Sequence, residues 1–315
     1  MRPAALLALA LAALLFAPPA ARGAPSSMEA PAWTVGDSWT YRFNTTFEGF
    51  AFLNGTVRAE VLALQNATVR GVPLRTYLVD TTGNGTLEAG FALIRARGFW
   101  NLTGEDRFAA DSRVIVTSLL DITGDGRFEG LGTPFTLHWI NSTESRVDQD
   151  SWSYPVPPGA SGRVVLNTSW SEDVFVRLDQ NSTWQNRTGV SDSTIDLALA
   201  AQTRSVTVPA GTFETFTVNE TWPDGTREGF DYAPLAGNNA RTVTTNGTGA
   251  ALSRTELLSY RYQALEPKAG FSPWAALAGV VVAAALVVLA AWAVTRRRAR
   301  ERKYTPPSLR DPPAT

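Results

Sequence analysis

From Trp33 onward, apolar and polar residues alternate along short runs, as in Trp39-Thr40-Tyr41-Arg42-Phe43 and through 56–64 and 74–79. A period of two sends successive side chains to opposite faces of a strand, so these runs predict half-buried antiparallel strands. Val, Thr, Phe, Tyr and Trp crowd them, as a pleated surface favours. Asn-Gly and Asp-Gly pairs such as Asn84-Gly85 and Asp125-Gly126 interrupt the alternation and predict tight hairpin turns. No stretch of this region holds a 3.6 period over twelve residues, and a short helix is expected at most near 107–110. The expected fold class is all-β.

The pattern changes at both ends. After Met1-Arg2 comes an apolar run, 4–17, then Pro18-Pro19 and the small-residue stretch Ala21-Arg22-Gly23. That is the layout of a secretory signal peptide, 1–23, which persists as an anchor if cleavage fails. Near the C-terminus, 274–294 is uncharged, and Arg296, Arg297, Arg298, Arg300, Arg302 and Lys303 follow it. At about 1.5 Å per residue the stretch reaches roughly 30 Å, the hydrocarbon thickness of a bilayer. Trp274 and Trp292 sit near its ends, where indole rings favour the headgroup level. A transmembrane helix over 274–294 is therefore expected, with a Pro-rich tail at 295–315.

Charge orients this arrangement. Residues 24–273 carry 27 acidic and 19 basic side chains, whereas 295–315 carries 7 basic and 2 acidic. Lys/Arg excess marks the cytoplasmic side, so the expected protein is type I and single-pass, with its N-terminal domain outside the cell membrane. An acidic external domain also excludes nucleic acid as partner, since phosphate binding needs a basic surface. The absence of cysteine removes disulfides, thiolate nucleophiles and cysteine metal sites.

Asparagine changes the picture most. Of 13 Asn, 11 stand in Asn-x-Ser/Thr: Asn44, Asn54, Asn66, Asn84, Asn101, Asn141, Asn167, Asn181, Asn186, Asn219 and Asn246. Such density predicts a heavily N-glycosylated surface. Together with the Arg-rich, cysteine-free composition it suggests an archaeal cell envelope.

The chain also echoes itself. Val79-Asp-Thr-Thr-Gly-Asn-Gly-Thr-Leu-Glu-Ala-Gly-Phe91 aligns with Val218-Asn-Glu-Thr-Trp-Pro-Asp-Gly-Thr-Arg-Glu-Gly-Phe230. Two related β halves, 24–130 and 131–265, are expected, followed by a juxtamembrane linker at 266–273.

Trp33-x-x-Gly36-Asp37-x-Trp39-x-Tyr41 resembles the opening of a class of envelope-protein domains of unknown function. Val208-Pro209-Ala210-Gly211-Thr212-Phe213, then Tyr232-Ala-Pro-x-x-Gly237, resembles their closing half. These domains are related in shape to the lipoprotein carriers LolA and LppX. The resemblance implies a half-barrel whose concave face holds an apolar group, and it brings no catalytic residues. Gly270-Phe271, the apolar span and the Arg cluster are similar to archaeosortase C-terminal signals, with Ala269 where those have Pro.

Candidate chemistry is sparse. His138, the single histidine, has no Gly-x-Ser-x-Gly nucleophile to serve, and alternation places it opposite Phe135, Leu137 and Trp139. Glu105/Asp106 and Glu172/Asp173 are expected in solvated loops, and adjacent strand residues face opposite ways. Asp121-x-x-x-Asp125-Gly126-x-x-Glu129 opens like a calcium loop but has Gly132 where the bidentate Glu belongs. A hairpin turn is the competing reading. Neither an enzyme nor a cofactor is expected. The expected function is binding of an apolar or glycan ligand, or of an envelope partner, and the alternative is a purely structural glycoprotein.

Overall fold

The computed structural model describes residues 26–47, 51–91, 94–178 and 181–262. The signal segment 1–23, the linker 266–273, the span 274–294 and the tail 295–315 lie outside them. Thirteen strands follow one another. They are β1 (Ser38–Phe47), β2 (Ala51–Val69), β3 (Val72–Phe91), β4 (Ile94–Ala109), β5 (Ile115–Phe128), β6 (Pro134–Asp150) and β7 (Ser161–Leu178). β8 (Asn181–Leu199), β9 (Arg204–Val208), β10 (Gly211–Thr221), β11 (Arg227–Ala233), β12 (Asn238–Thr245) and β13 (Ala251–Arg261) complete the set. The region expected to allow a short helix, 107–110, is the end of β4 and the start of a turn. Among the described residues no helix is long and apolar enough to cross a membrane.

The sheet closes on itself. β1 to β8 pair consecutively, β13 pairs with β1, and β10 pairs with both β8 and β11, which makes a ring of twelve antiparallel strands with β9 outside it. The expected half-barrel is therefore corrected to a closed barrel. Closure satisfies the backbone groups that a half-barrel would leave along two open edges. Following opposed residues from Gly162 through Leu197, Glu220, Glu228, Thr244, Ser253, Thr45, Leu53, Leu87, Gly98, Gly126 and Phe135 returns to β7 at Leu178. That stagger in a twelve-strand ring tilts the strands by about 45°. The ring is held shut over a short seam, since β8 meets β10 only from Asp196 to Leu199.

Alternation decides the faces. Trp39, Tyr41 and Phe43 point inward from β1, and Arg42 between them is exposed. The outside carries ion pairs such as Arg58–Glu60, Arg97–Glu129 and Arg107–Glu105. Polar outside and apolar inside is the reverse of a lipid-embedded barrel.

Asn54-Gly55, Asn84-Gly85 and Asp125-Gly126 are not turns. Each lies within a long strand, with the Gly inward and the Asn or Asp outward and exposed. Gly55 opposes Gly85, and Gly98 opposes Gly126. A Cβ on Gly55 would stand 2.7 Å from the Trp100 ring and 2.8 Å from the Gly85 Cα. These glycines let neighbouring backbones approach and the sheet curl, and Trp100 fills the space, its indole N–H donating to the Asn54 carbonyl at 3.3 Å. The actual turns lie elsewhere, as at Arg70-Gly71, where φ of +48° and +80° suits a two-residue hairpin between Val69 and Val72. The aligned stretches also diverge. Val79–Phe91 runs straight through β3, whereas Val218–Phe230 is the β10–β11 hairpin.

One end of the barrel is stoppered by the chain entering it. Trp33 packs edge-on against Tyr77 and Phe108 and tilted against Trp39. The Trp33 indole donates to the Gly237 carbonyl at 2.9 Å, and the Trp39 indole donates to the Ala236 carbonyl at 2.7 Å. Asp37 turns the chain between the two tryptophans, accepting the Thr34 amide at 2.8 Å. Arg113, nearly buried, lies over the Tyr77 ring at 4.0 Å and donates to the Pro31 carbonyl. Burial pulls its guanidinium down to about 10. The β9–β10 hairpin shuts the seam from outside. Asp231 accepts hydrogen bonds there from Arg204, Arg241 and Thr217, so a buried carboxylate on β11 ties β9 and β10 to β11 and β12.

Candidate functional site

Two surfaces gather polar groups that the fold does not need. The first is internal. Glu220 and Glu228 oppose each other across β10 and β11, one residue pair inside the turn at Trp222–Thr226, and are only 4% and 3% exposed. Their neighbours round the inner wall are Thr244 and Ser253, joined by a 3.0 Å hydrogen bond. Arg227, Arg241 and Arg254 alternate to the outer side of the same strands, so no cation faces the pair from β11–β13. Burial pushes Glu220 up to about 8; burial, then the Glu220 charge, pushes Glu228 higher than the usual carboxylate range.

Two further carboxylates face inward. Asp106 takes hydrogen bonds from Ser118 and Thr81, yet burial still raises it to about 7, helped by Glu105 and Asp80. Glu172 accepts the Trp139 indole N–H at 2.9 Å. The expected solvated loops at Glu105/Asp106 and Glu172/Asp173 are thus strands that bury one carboxylate of each pair.

The sign of the pH effect follows. Asp106 and Glu220 keep a proton in the folded chain that the unfolded chain releases near pH 4, so rising pH favours unfolding until the folded groups ionise. Tyr154 beside Glu220, itself pushed upward by burial, stays neutral throughout this range. The melting temperature is expected to fall as pH rises from about 4 to about 8. Asp106→Asn and Glu220→Gln should each flatten the fall; a profile unchanged in both variants would show that these groups ionise freely.

The second surface is external. Asn54, Asn66, Asn84, Asn101, Asn181, Asn186 and Asn219 are exposed, and Asn44, Asn167 and Asn246 are half-exposed. Asn44 opposes Asn54, and Asn84 opposes Asn101, so β1–β4 present a dense acceptor row. Asn141 is different. It points inward between Leu120 and Glu172 at 4% exposure, where no sugar fits. The outer wall of β5 and β6 consequently carries no outward acceptor Asn. On it stand His138 and Asp121, 2.9 Å apart, with Thr136 donating to Asp125 at 2.8 Å and Leu119 half exposed. Phe99 borders the wall on β4; Phe175 and Trp184, with rings 5.9 Å apart, border it on β7 and β8.

The suggested calcium ligands do not converge. Asp121 and Asp125 lie four residues apart on β5, a strand separation of roughly 13 Å. Asp121 bonds His138, Asp125 bonds Thr136, and Glu129 pairs with Arg97. His138 does face away from Phe135 and Trp139. Among the described residues most of the tryptophans are core, while Trp184 is exposed. A recess of about 170 Å³ beside the stopper, lined by Glu29, Phe216, Tyr232 and Tyr262 among others, falls short of the roughly 300–1,000 Å³ of small-molecule sites. The internal carboxylates had one sequence signal: Glu220 shares the parity of Val218, and Glu228 that of Phe230.

No family model and no curated protein matches the chain. Among solved structures, a Bacteroides fragilis protein described as exported, with a YmcC-like fold, aligns over 75% of this chain and 99% of its own, at 12% identity and a TM-score of 0.26. A likeness that weak carries no argument.

Proposed function

We propose that this is a membrane-tethered surface glycoprotein whose β-barrel binds an envelope partner through the outer wall of β5 and β6. The observation that carries this reading is the placement of the acceptor asparagines. Ten of the eleven triplets put Asn on the outside, and the single one within β5–β6, at Asn141, faces in. The wall carries no outward acceptor of its own, and its nearest ones flank it, Asn101 opposite Thr123 and Asn167 opposite Arg146, so sugars there would border a strip edged by aromatic rings that suits a protein or glycan surface. The tether is the span expected at 274–294, with the domain outside and the tail in the cytoplasm. Interior packing around Trp33, Trp39 and Trp100 lends no support to an internal lipid. The second reading, a structural coat component, is favoured by the density of acceptors.

The test uses one substitution. Asp121→Asn creates an acceptor triplet with Thr123 on the wall, and Asp121→Asn with Thr123→Ala removes it again. In the glycosylating host, glycopeptide mass spectrometry should find Asn141 bare. The single variant should lose about tenfold or more of its envelope cross-links, and the double variant should keep them. Equal cross-linking by both variants would favour the coat reading.

A further inference from the structure

The stagger of the ring leaves a step in its rim at the seam. The path of opposed residues that leaves β7 at Gly162 comes back to it at Leu178, so β8 runs far past the Trp222–Thr226 turn of β10–β11, on the side away from the stopper. The step uncovers one strand edge on each side of the seam, and the chain treats the two differently. The β10 edge is taken by β9, from Gly211 to Thr215. The β8 edge meets β10 from Asp196 to Leu199, and no described strand pairs with the rest of it, 181–195. At about 3.3 Å per residue this edge runs roughly 50 Å, with the N–H and C=O of every second residue directed out of the ladder. Residues 181–194 are all exposed or half-buried. Sheet edges are normally blunted by lysine, proline or a bulge. This one has no lysine and no proline, and β8 keeps register with β7 from Asn181 to Ala198 without a break. Its outer face presents Trp184 and Val190, 57% and 63% exposed.

We propose that two copies of this chain pair through β8, edge to edge and antiparallel. A two-fold axis normal to the sheet at Arg187 sets Trp184 opposite the partner's Val190 and Asn186 opposite the partner's Thr188. Two aromatic–β-branched pairs then form on the outer face, the kind of cross-strand contact that stabilises a sheet. Arg187 meets its own copy on the inner face, where each guanidinium already lies 3.8 Å from Glu172. An axis normal to the barrel wall also crosses the barrel's own axis, so the second copy is coaxial with the first and reversed. Both rims climb by the same step, and each then follows the other around the ring. That fit selects a second copy as the occupant: any extended segment can add to an edge, but this chain's own rim repeats the step. Leu131, 66% exposed in the turn between β5 and β6, stands on the rim so covered. Asn186 projects from the outer face, clear of the in-plane groups that pair. The stopper ends come to lie at opposite ends of the pair, and the pairing does not depend on the membrane tether proposed above.

The experiment is sedimentation velocity of the full-length chain in detergent, made without N-glycans. The parent should sediment as a dimer. Trp184→Lys with Val190→Lys puts charge on both exposed positions, and should weaken association about a hundredfold or more. Its melting temperature, measured where both proteins are monomeric, should stay within about 2 °C of the parent, because neither side chain is buried. The register is read by disulfide formation, which the absence of cysteine from the chain makes clean. Trp184→Cys with Val190→Cys should give a reducible dimer on oxidation. Within one chain those positions are about 20 Å apart along β8, too far to bond. Either single cysteine variant should give at least about tenfold less, since each would face its own copy at the same distance. A monomeric parent overturns the pairing. So does a dimer that survives both lysines, or one in which the single cysteines cross-link as well as the double.

Discussion

Replacing Trp39 by alanine is expected to lower the melting temperature by about 10–20 °C. Trp39 is fully buried, packs against Trp33 and Tyr262, and donates its indole N–H to Ala236 in the turn between β11 and β12. Truncating a buried Trp costs about 3–5 kcal/mol, and the stranded Ala236 carbonyl adds about 1 kcal/mol or more. At roughly 2–4 °C per kcal/mol for a domain of this size, the stated range follows. Trp39→Phe keeps most of the ring volume and loses the hydrogen bond, so its fall should be a third as large or less. Thermal melting by circular dichroism separates the two. Equal losses would mean that the indole bond, rather than packing, holds β1 to the turn before β12.

Gly85→Ala should be nearly as damaging, although it adds one methyl group. The new Cβ would meet the Asn54 carbonyl oxygen and lie 2.6 Å from the Gly55 Cα on the neighbouring strand. Backbone cannot yield as a flexible side chain does, so overpacking of about 3 kcal/mol, or 6–12 °C, is expected. Gly124→Ala is the matched control. It also faces inward from a long strand, but its nearest neighbours, the Phe99 carbonyl oxygen and Leu137 Cβ, lie at 3.6 and 3.7 Å. Its melting point should move by only a few degrees. Comparable falls in both variants would show that intrinsic strand preference decides, and not backbone approach.

These glycines also explain what the sequence concealed. Alternation around Trp39 to Phe43 reported strands and their inner face correctly, because one buried face imposes a period of two. Asn-Gly looked like a turn because it usually is one. Here Asn-Gly-Thr fits the alternation instead: Asn84 and Thr86 are exposed, and Gly85 faces in. An Asn-x-Thr triplet on a strand puts both recognition residues on one face, so the glycosylation signal and the strand period coincide. The turn reading split β2, β3 and β5 into shorter pieces, and the half-barrel was what the resemblance to the lipoprotein carriers implied. Closure was equally hidden, since it rests on indoles reaching Ala236 and Gly237 about two hundred residues away. The lack of an outward acceptor Asn on β5 and β6 needed the side to which Asn141 points. The buried carboxylates could be read from parity alone, with Glu220 and Glu228 standing where Val218 and Phe230 predict apolar residues.

The pairing of β1 with β13 constrains the order of assembly. Hairpins from β1–β2 to β7–β8 close locally, each with its partner next in sequence. The β1–β13 pairing cannot form until β13 has left the ribosome, because Thr45 needs Ser253, and Trp33 and Trp39 need the turn before β12. Contacts of such long range slow folding, since the intervening loop must lose its freedom before any reward. For most of its synthesis the chain is therefore an open sheet with two unpaired edges, held back from sticking to its neighbours by whatever covers those edges. The Asn-x-Thr triplets at Asn44 and Asn54 stand on the first two strands to emerge.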